Sequence, residues 1–457
     1  MTAVPTPPAI RSELFGPSRR ATTTGLVLLI SLVAFEAMGV GTAMPALVAD
    51  LGAIPLYAWP FVSFMAAAVF GTVLGGRWSD QVGPRVPLIT SPLLFGIGLL
   101  IAGTATSMAQ LLAGRVLQGL GAGALTVAGY VLIAAIYPER ARPAVFGLLA
   151  SAWVLPSLIG PLAAGVVTEA LSWHWVFLGL VPVVVLAVSL MVPAVRQLDP
   201  VQHDPTSAPP THGSVTAALA AAAGVSALSW ASQHITMLAA AVAAIAVAVL
   251  VPALRWLLPR GVFRTRRGIP ALVASRGLLA GVFFTVNSYL PLTLNGTHSW
   301  SLAAAGIPLI VGSLGWSASA AWQGRHPELC RTRLLRVGFC ALAVGTAGML
   351  LVTPSWGSPW LATPFWLLAG IGMGLGFSSV SYLLLQQSAV RSVGFHSSAA
   401  QIADQLATAA MIGIGGALLA LLASPAVALP VLVAVLTGLA VAGAALAGRT
   451  AVDRGKD

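Results

Sequence analysis

The sequence predicts an all-α integral membrane protein of about fourteen transmembrane helices, grouped 6 + 2 + 6, with both termini cytoplasmic. Three observations predict it. Hydrophobic residues make up 58% of the 457 residues and charged residues only 8%, and the mean hydropathy is +0.92. A soluble domain is roughly a quarter charged, so this chain could not cover its surface with polar groups in water. Apolar runs near the length needed to cross the hydrocarbon core, about twenty residues, recur throughout. The arginines fall in every second gap between those runs.

The runs lie near 24–46, 57–76, 88–106, 109–136, 144–168, 175–194, 214–231, 235–254, 269–292, 302–322, 334–353, 360–388, 397–422 and 426–447. Gly and Pro within them do not demote them, because membrane helices tolerate both. Met1 to Arg20 is polar and Pro-rich. The first run is too long for a signal-peptide core and lacks a cleavage site, so it reads as a retained helix.

Arg11, Arg19 and Arg20 precede the first run, and Arg77 and Arg85 follow the second. Arg140 and Arg142 follow the fourth, Arg196 the sixth, and Arg255, Arg260, Arg264, Arg266 and Arg267 the eighth. Arg325, Arg331, Arg333 and Arg336 follow the tenth, Arg391 the twelfth, and Arg449, Arg454 and Lys456 close the chain. The gaps between hold no Lys or Arg. This positive-inside pattern places both ends in the cytoplasm and requires an even span count. It also accounts for the net charge of +11 without nucleic acid as a partner.

The expected organisation is a cytoplasmic tail (1–23), a six-helix bundle (24–194), a cytoplasmic linker (195–213), a two-helix insert (214–254), a basic cytoplasmic connector (255–268), a second six-helix bundle (269–447) and a cytoplasmic tail (448–457). Six plus six suggests a repeat with a substrate path between the halves, although spacing alone also allows an unrepeated bundle. Cys330 and Cys340 permit at most one bridge, and no His stands at ligand spacing to either, so no metal site is expected. The seven His lie in or beside loops, which argues against a membrane enzyme.

Four charges fall well inside the runs, away from their ends: Glu36, Arg115, Arg276 and Asp404. A buried guanidinium needs a partner, and Glu36 is at a compatible depth for Arg115. Burial raises the proton affinity of a carboxylate and a nearby Arg opposes that, so such a group can load and release protons as its exposure alternates; it can equally form a static pair. Arg276 and Asp404 form a candidate second pair near the cytoplasmic side, where each could also snorkel. Asn287, Tyr289, Trp366, Phe377, Tyr382, Gln386 and Gln387 are candidate cavity groups, since an apolar cavity with a few polar handles suits a lipophilic substrate; plain packing is the alternative.

Gly76-Arg77-Trp78-Ser79-Asp80-Gln81-Val82-Gly83-Pro84-Arg85 resembles the loop signature of the major facilitator superfamily. Gly76, Asp80, Gly83 and Arg85 match it, and Gln81 and Pro84 depart from it. The two glycines are expected to permit a tight turn. The resemblance implies a cytoplasmic gate, with Glu139, Arg140 and Arg142 similar to its usual partners. Arg115, Gln118, Gly119 and Gly121 are similar to the family's pattern in span 4. Gly147, Pro156, Gly160, Pro161 and Gly165 resemble its antiporter motif, with Pro156 and Ala164 in place of glycines. Ser172-Trp173-His174-Trp175 is similar to a signature of the fourteen-span drug:proton antiporters, and the two Trp could equally be interfacial anchors. Ser301 and Gly306 resemble the connection between spans 9 and 10. Gly370, Gly372, Gly374 and Gly376 echo span 4 without its Arg and follow no strand, so they do not read as a nucleotide loop.

The resemblance implies a major facilitator fold in the cell (inner or plasma) membrane and proton-coupled export of lipophilic or amphiphilic small molecules. The implied mechanism is alternating access by a monomer, with no cofactor and the proton gradient as energy source. A same-fold transporter of one metabolite or lipid, or a receptor in which Glu36 need not titrate, is the alternative.

Overall fold

A computed structural model describes residues 14–16, 19–83, 85–138, 141–196, 213–234, 236–389, 392–422 and 424–451. Their regular structure is entirely helical. The first bundle contains α1 (Arg20–Asp50), α2 (Trp59–Val82), α3 (Arg85–Gly103), α4 (Met108–Ile136), α5 (Arg142–Ser151), α6 (Val154–Ala170), α7 (His174–Leu178) and α8 (Val181–Arg196). The insert is α9 (Gly213–Ala231) and α10 (Met237–Leu257). The second bundle contains α11 (Ile269–Gly296), α12 (Leu302–Ala305), α13 (Ile307–Gly324), α14 (Arg331–Gly348), α15 (Ala362–Gln387), α16 (Val393–Leu422) and α17 (Pro425–Leu446). Among the described residues, twelve helical stretches are long and apolar enough to cross a membrane; Val154–Ala170 and Val215–Ala231 are apolar but shorter.

Helix starts follow local chemistry. The side chains of Ser107, Thr236 and Ser301 accept from the amides of Gln110, Ala239 and Ala304, which opens α4, α10 and α12. The expected run 144–168 is divided, because α5 ends at Ser151 and α6 begins at Val154. Pro156 explains the break: it lacks an amide proton, and its ring crowds the carbonyl four residues back, at Ala152. A second expectation changes likewise. Gly76 lies inside α2, and it is Gly83 that ends the helix, at φ 78°.

Close backbone approach holds each bundle together. A Cβ at Gly119 would lie 2.9 Å from Cβ of Ala67 on α2, and one at Gly121 would lie 2.6 Å from the Phe95 amide on α3. The alternating glycines of α4 therefore seat it against two neighbours at once. In the second bundle α15 contacts α13 and α14 in the same manner, Gly374 facing Trp316 and Gly372 facing Leu342.

The insert rests on the seam between the bundles, with α9 against α2 and α16. Ala239, Ala246 and Ala253, spaced by seven, form the buried stripe of α10, while Met237, Leu238 and Ile245 point outward. A helix apolar up to Arg255 in its last turn, with so little buried surface, is suited to lipid.

The bundles meet mainly where α1 packs on α11, α2 on α16, and α6 on both α12 and α13. Several of their bonds lie at the end whose connections lack arginine. The Tyr57 hydroxyl donates to the Ser288 carbonyl at 2.8 Å, and its ring centroid is 5.3 Å from that of Tyr289. Glu169, at the end of α6, accepts from the amides of Leu302 and Ala303, the latter at 3.3 Å. A Cβ at Gly165 would lie 2.6 Å from both Cα and N of Ala303, and one at Gly306 would lie 3.0 Å from the Pro161 carbonyl.

Candidate functional site

Two ion pairs inside apolar helices form the chemical centre of the molecule. The first joins α1 to α4. Arg115 Nη1 donates to Glu36 Oε1 and, at 2.6 Å, to Gln118 Oε1. Its Nε donates to the Pro60 carbonyl at 3.0 Å, and the guanidinium lies 4.5 Å from the centre of the Phe64 ring. Gln118, one helical turn after Arg115, shares its face of α4; Pro60 and Phe64 line the facing side of α2. Glu36 and Gln118 are 0% exposed and Arg115 is 3% exposed, so water has no access to the pair in this conformation. Glu36 Oε2 and Gln118 Nε2 have no hydrogen-bond partner among the described residues.

The second pair joins α11 to α16. Arg276 Nε donates to both carboxylate oxygens of Asp404, and Nη1 donates to the Ser381 hydroxyl at 2.8 Å. The side chains of Arg276 and Asp404 retain 15% and 16% exposure, so this pair is open where the first is closed. Arg115 and Arg276 each sit seven residues into their helix, but from opposite ends of the molecule. That is about 10 Å of helix axis in each case.

Pro156, Gly160, Pro161 and Gly165 are all buried on α6. Gly160 packs on Gly39 of α1, and Gly165 packs on the second bundle at Ala303. The resembling motif thus lies on the seam. Trp173 is buried and donates to Asp50 at 2.9 Å, whereas Trp175 is exposed. The two residues that sequence left equivalent have separate roles: Trp173 ties α7 to the end of α1, and Trp175 faces outward.

At the loop signature, Gly83 ends α2, Arg85 begins α3 as an exposed residue, and Arg142 Nε donates to the Tyr137 carbonyl at 3.1 Å. Glu139, Arg140, the Asp80 side chain and the surroundings of Gly147 lie outside the described residues. The candidate cavity groups are not in one setting. Trp366 Nε1 donates to Asn287 at 3.3 Å, both buried, and the Tyr289 hydroxyl donates to the Ile412 carbonyl. Phe377 carries Arg276 over its face at 3.4 Å. Tyr382 lies 5.0 Å beneath the Arg331 guanidinium, Gln386 is exposed, and Gln387 donates to the Thr450 carbonyl.

Tyr57, Trp59, Glu169, Gln233 and Ser381 complete this picture and were not singled out from sequence. Trp59 Nε1 donates to Gln233 at 3.0 Å, which joins α2 to the insert. The partners are separated by 105 to 231 residues, so no local spacing announces them.

Comparison with known proteins places this geometry. The sequence profile of the Major Facilitator Superfamily matches residues 26–412. The chain is 26% identical over 380 residues to multidrug resistance protein 3 of Bacillus subtilis, covering 79% of this chain and 72% of that one. It is 25% identical over 394 residues to multidrug transporter protein MdtP of the same organism, covering 83% and 71%. In structure it is similar to a bacterial homolog of the human lysosomal transporter Spinster in an inward-facing and unoccupied conformation, with TM-score 0.66 and 14% identity, over 95% of this chain and 98% of that one. That likeness concerns the fold. With a profile match running from α1 into α16, across both ion pairs and the seam between the bundles, the chain belongs to the Major Facilitator Superfamily of membrane transporters.

Proposed function

We propose that the protein exports lipophilic small molecules by alternating access, driven by protons exchanged at Glu36. The observation that carries this reading is the state of Glu36: fully buried, paired to Arg115 through one oxygen, and unpartnered at the other among the described residues. A carboxylate held this way is a proton acceptor that water must be admitted to reach. On protonation the ion pair is lost, and the Gln118 side chain and Pro60 carbonyl remain to hold the guanidinium. The hydrogen bonds of Tyr57 and Glu169 and the close packing of Gly165 support a conformation closed at the arginine-poor end, which positive-inside placement makes the outer face. Substrate then enters from the cytoplasm or inner leaflet. Protonation from outside accompanies opening of that seam and release. The two shorter apolar helices, α6 continued by α5 and α9 in the insert, would bring the spans to fourteen. The naming of the two Bacillus subtilis relatives as multidrug proteins supports the substrate class.

The test uses proteoliposomes with an imposed pH gradient and ethidium as probe. Wild type is expected to move ethidium against its own gradient. Glu36→Gln is expected to lose uphill movement while still exchanging ethidium downhill. Uphill pumping by Glu36→Gln at the wild-type rate would remove the proton role of this residue.

A further inference from the structure

At the arginine-rich end, the connector between the insert and the second bundle forms a pocket. Its cavity is about 820 Å³ and is lined by Arg255, Arg260, Arg264 and Arg266 together with Trp256, Phe263 and Phe395. The pocket is built from ordered backbone. Gly261 and Thr265 take left-handed conformations, at φ 96° and 45°, on either side of the 3-10 turn Val262–Arg264. The Arg266 amide donates back to the Gly261 carbonyl at 3.2 Å, and a Cβ at Gly261 would lie 2.7 Å from Cδ of Arg266. The Gly268 amide donates to the Arg449 carbonyl and Arg449 donates to the Thr265 hydroxyl, which fastens the connector to the end of the second bundle.

All four arginines are exposed, and their guanidinium groups form no ion pair or hydrogen bond among the described residues. Orientation in the membrane needs positive charge near helix ends, but it needs no cavity and no aromatic lining. Here four unpaired cations converge on a space of ligand-pocket size, which is about 300–1,000 Å³. Trp256 and Phe263 are 63% and 60% exposed beside them. Trp256 belongs to the last turn of α10 and Phe395 to the first turn of α16, so the pocket lies where membrane-crossing helices emerge from the bilayer. Charge for a phosphate and apolar surface for the adjoining glycerol and acyl carbons are therefore presented side by side.

We propose that this pocket binds an anionic phospholipid, with the phosphodiester headgroup held by Arg255, Arg260, Arg264 and Arg266 and the upper acyl region against Trp256, Phe263 and Phe395. The bound lipid would touch the insert, the connector and α16 together. It would link the otherwise lipid-facing α10 to the second bundle.

The experiment reconstitutes the full chain in nanodiscs of phosphatidylcholine, alone or mixed with phosphatidylglycerol. Retained lipids are counted by native mass spectrometry after release. Wild type is expected to retain phosphatidylglycerol in preference to phosphatidylcholine. Replacing all four pocket arginines by Gln is expected to lower that preference by roughly tenfold or more, since each basic group near an anionic surface contributes on the order of fivefold. Arg325→Gln with Arg333→Gln, in a different basic loop, removes two charges away from the pocket and is expected to leave the preference within about twofold, because screening confines such charges to their surroundings. Equal loss in both variants would reduce the effect to diffuse charge and overturn the site. So would an unchanged preference in the four-Gln variant. Displacement of the lipid by millimolar inorganic phosphate would assign the pocket to a soluble anion and overturn the lipid reading. Lipid retention is read without transport, so its failure is distinct from failure of the export mechanism.

Discussion

Arg276 reaches both oxygens of Asp404 through a single nitrogen, Nε, at 3.0 and 2.8 Å, while its guanidinium plane covers Phe377. One cation on α11 thus serves an anion on α16 and a ring and the Ser381 hydroxyl on α15. Asp404→Asn removes the charge and leaves the arginine with its weaker partners. The expected cost is about 1–3 kcal/mol, because hydrogen bonds to charged groups fall in that range. Adding Arg276→Gln should recover part of it, since an uncompensated cation is then no longer held in the bundle. Thermal unfolding of both variants in detergent checks this; strict additivity would refute the coupling.

Arg115 makes a different demand. Its Nε and Nη1 serve three acceptors on three helices, a division that one lysine ammonium cannot reproduce from the same position. Arg115→Lys keeps the charge and is expected to lose about 1–3 kcal/mol from the lost bonds alone. Midpoint shifts in thermal unfolding, compared with the same substitution at exposed Arg85, measure it. A stability equal to wild type would show that charge without geometry suffices.

The contact of Gly165 with Ala303 leaves no room for a side chain. Gly165→Leu should force α6 from α12 at a cost of about 1–3 kcal/mol in the closed seam. Open states should then become more populated. With Cys330 and Cys340 replaced by Ser, maleimide labelling of a cysteine introduced at Ala303 should quicken in Gly165→Leu. Unchanged labelling would mean that the seam does not depend on this contact.

Tyr57 and Ser288 test the same seam without steric force. Tyr57→Phe deletes one neutral hydrogen bond between the bundles, a change of about 1 kcal/mol or fivefold in the closed-to-open ratio. The same labelling assay should report a smaller increase than Gly165→Leu. An effect of equal size would point to repacking of the neighbouring Tyr289 ring instead.

At the opposite end, Tyr137 and Thr23 share a 2.6 Å hydrogen bond, and Thr23 also donates to the Leu14 carbonyl. Burial raises the Tyr137 phenol above its ordinary 10.0, against the opposing pull of the Thr23 bond and Arg19. The phenol stays neutral through physiological pH. Because the folded state holds its proton more tightly, this contribution to stability is present below about pH 10 and is lost as pH rises further. Tyr137→Phe should cost about 1 kcal/mol at pH 7 and flatten that alkaline loss. A pH series of unfolding midpoints checks both.

Much of the helical layout was legible because lipid imposes two simple demands, apolar length and charge at the ends. The positions of Glu36, Arg115, Arg276 and Asp404 stood out because charges are costly inside such runs. The break at Ala152 and Trp153 was signalled by Pro156, but an apolar run conceals it, since hydropathy is blind to backbone breaks. Gly76 looked like a turn residue, yet α2 continues through it to Val82 because a glycine among helix-compatible neighbours need not end a helix. The seam was the least legible part. Glu169 and Leu302, or Tyr57 and Ser288, meet only after the bundles have formed and docked, so their contacts carry no periodicity.

The two intramembrane ion pairs have an electrical consequence. Each pair is neutral as a unit, so with both pairs formed the transmembrane voltage does little net work on the bundles as they move. Neutralising one carboxylate exposes a full positive charge on its arginine. Carrying such a charge across the entire field is worth about 2.3 kcal/mol per 100 mV. Under the proposed proton cycle, voltage would therefore act on the carrier with a neutralised carboxylate and pass over the one with both pairs formed, so that the potential biasing proton entry would also bias the step after it.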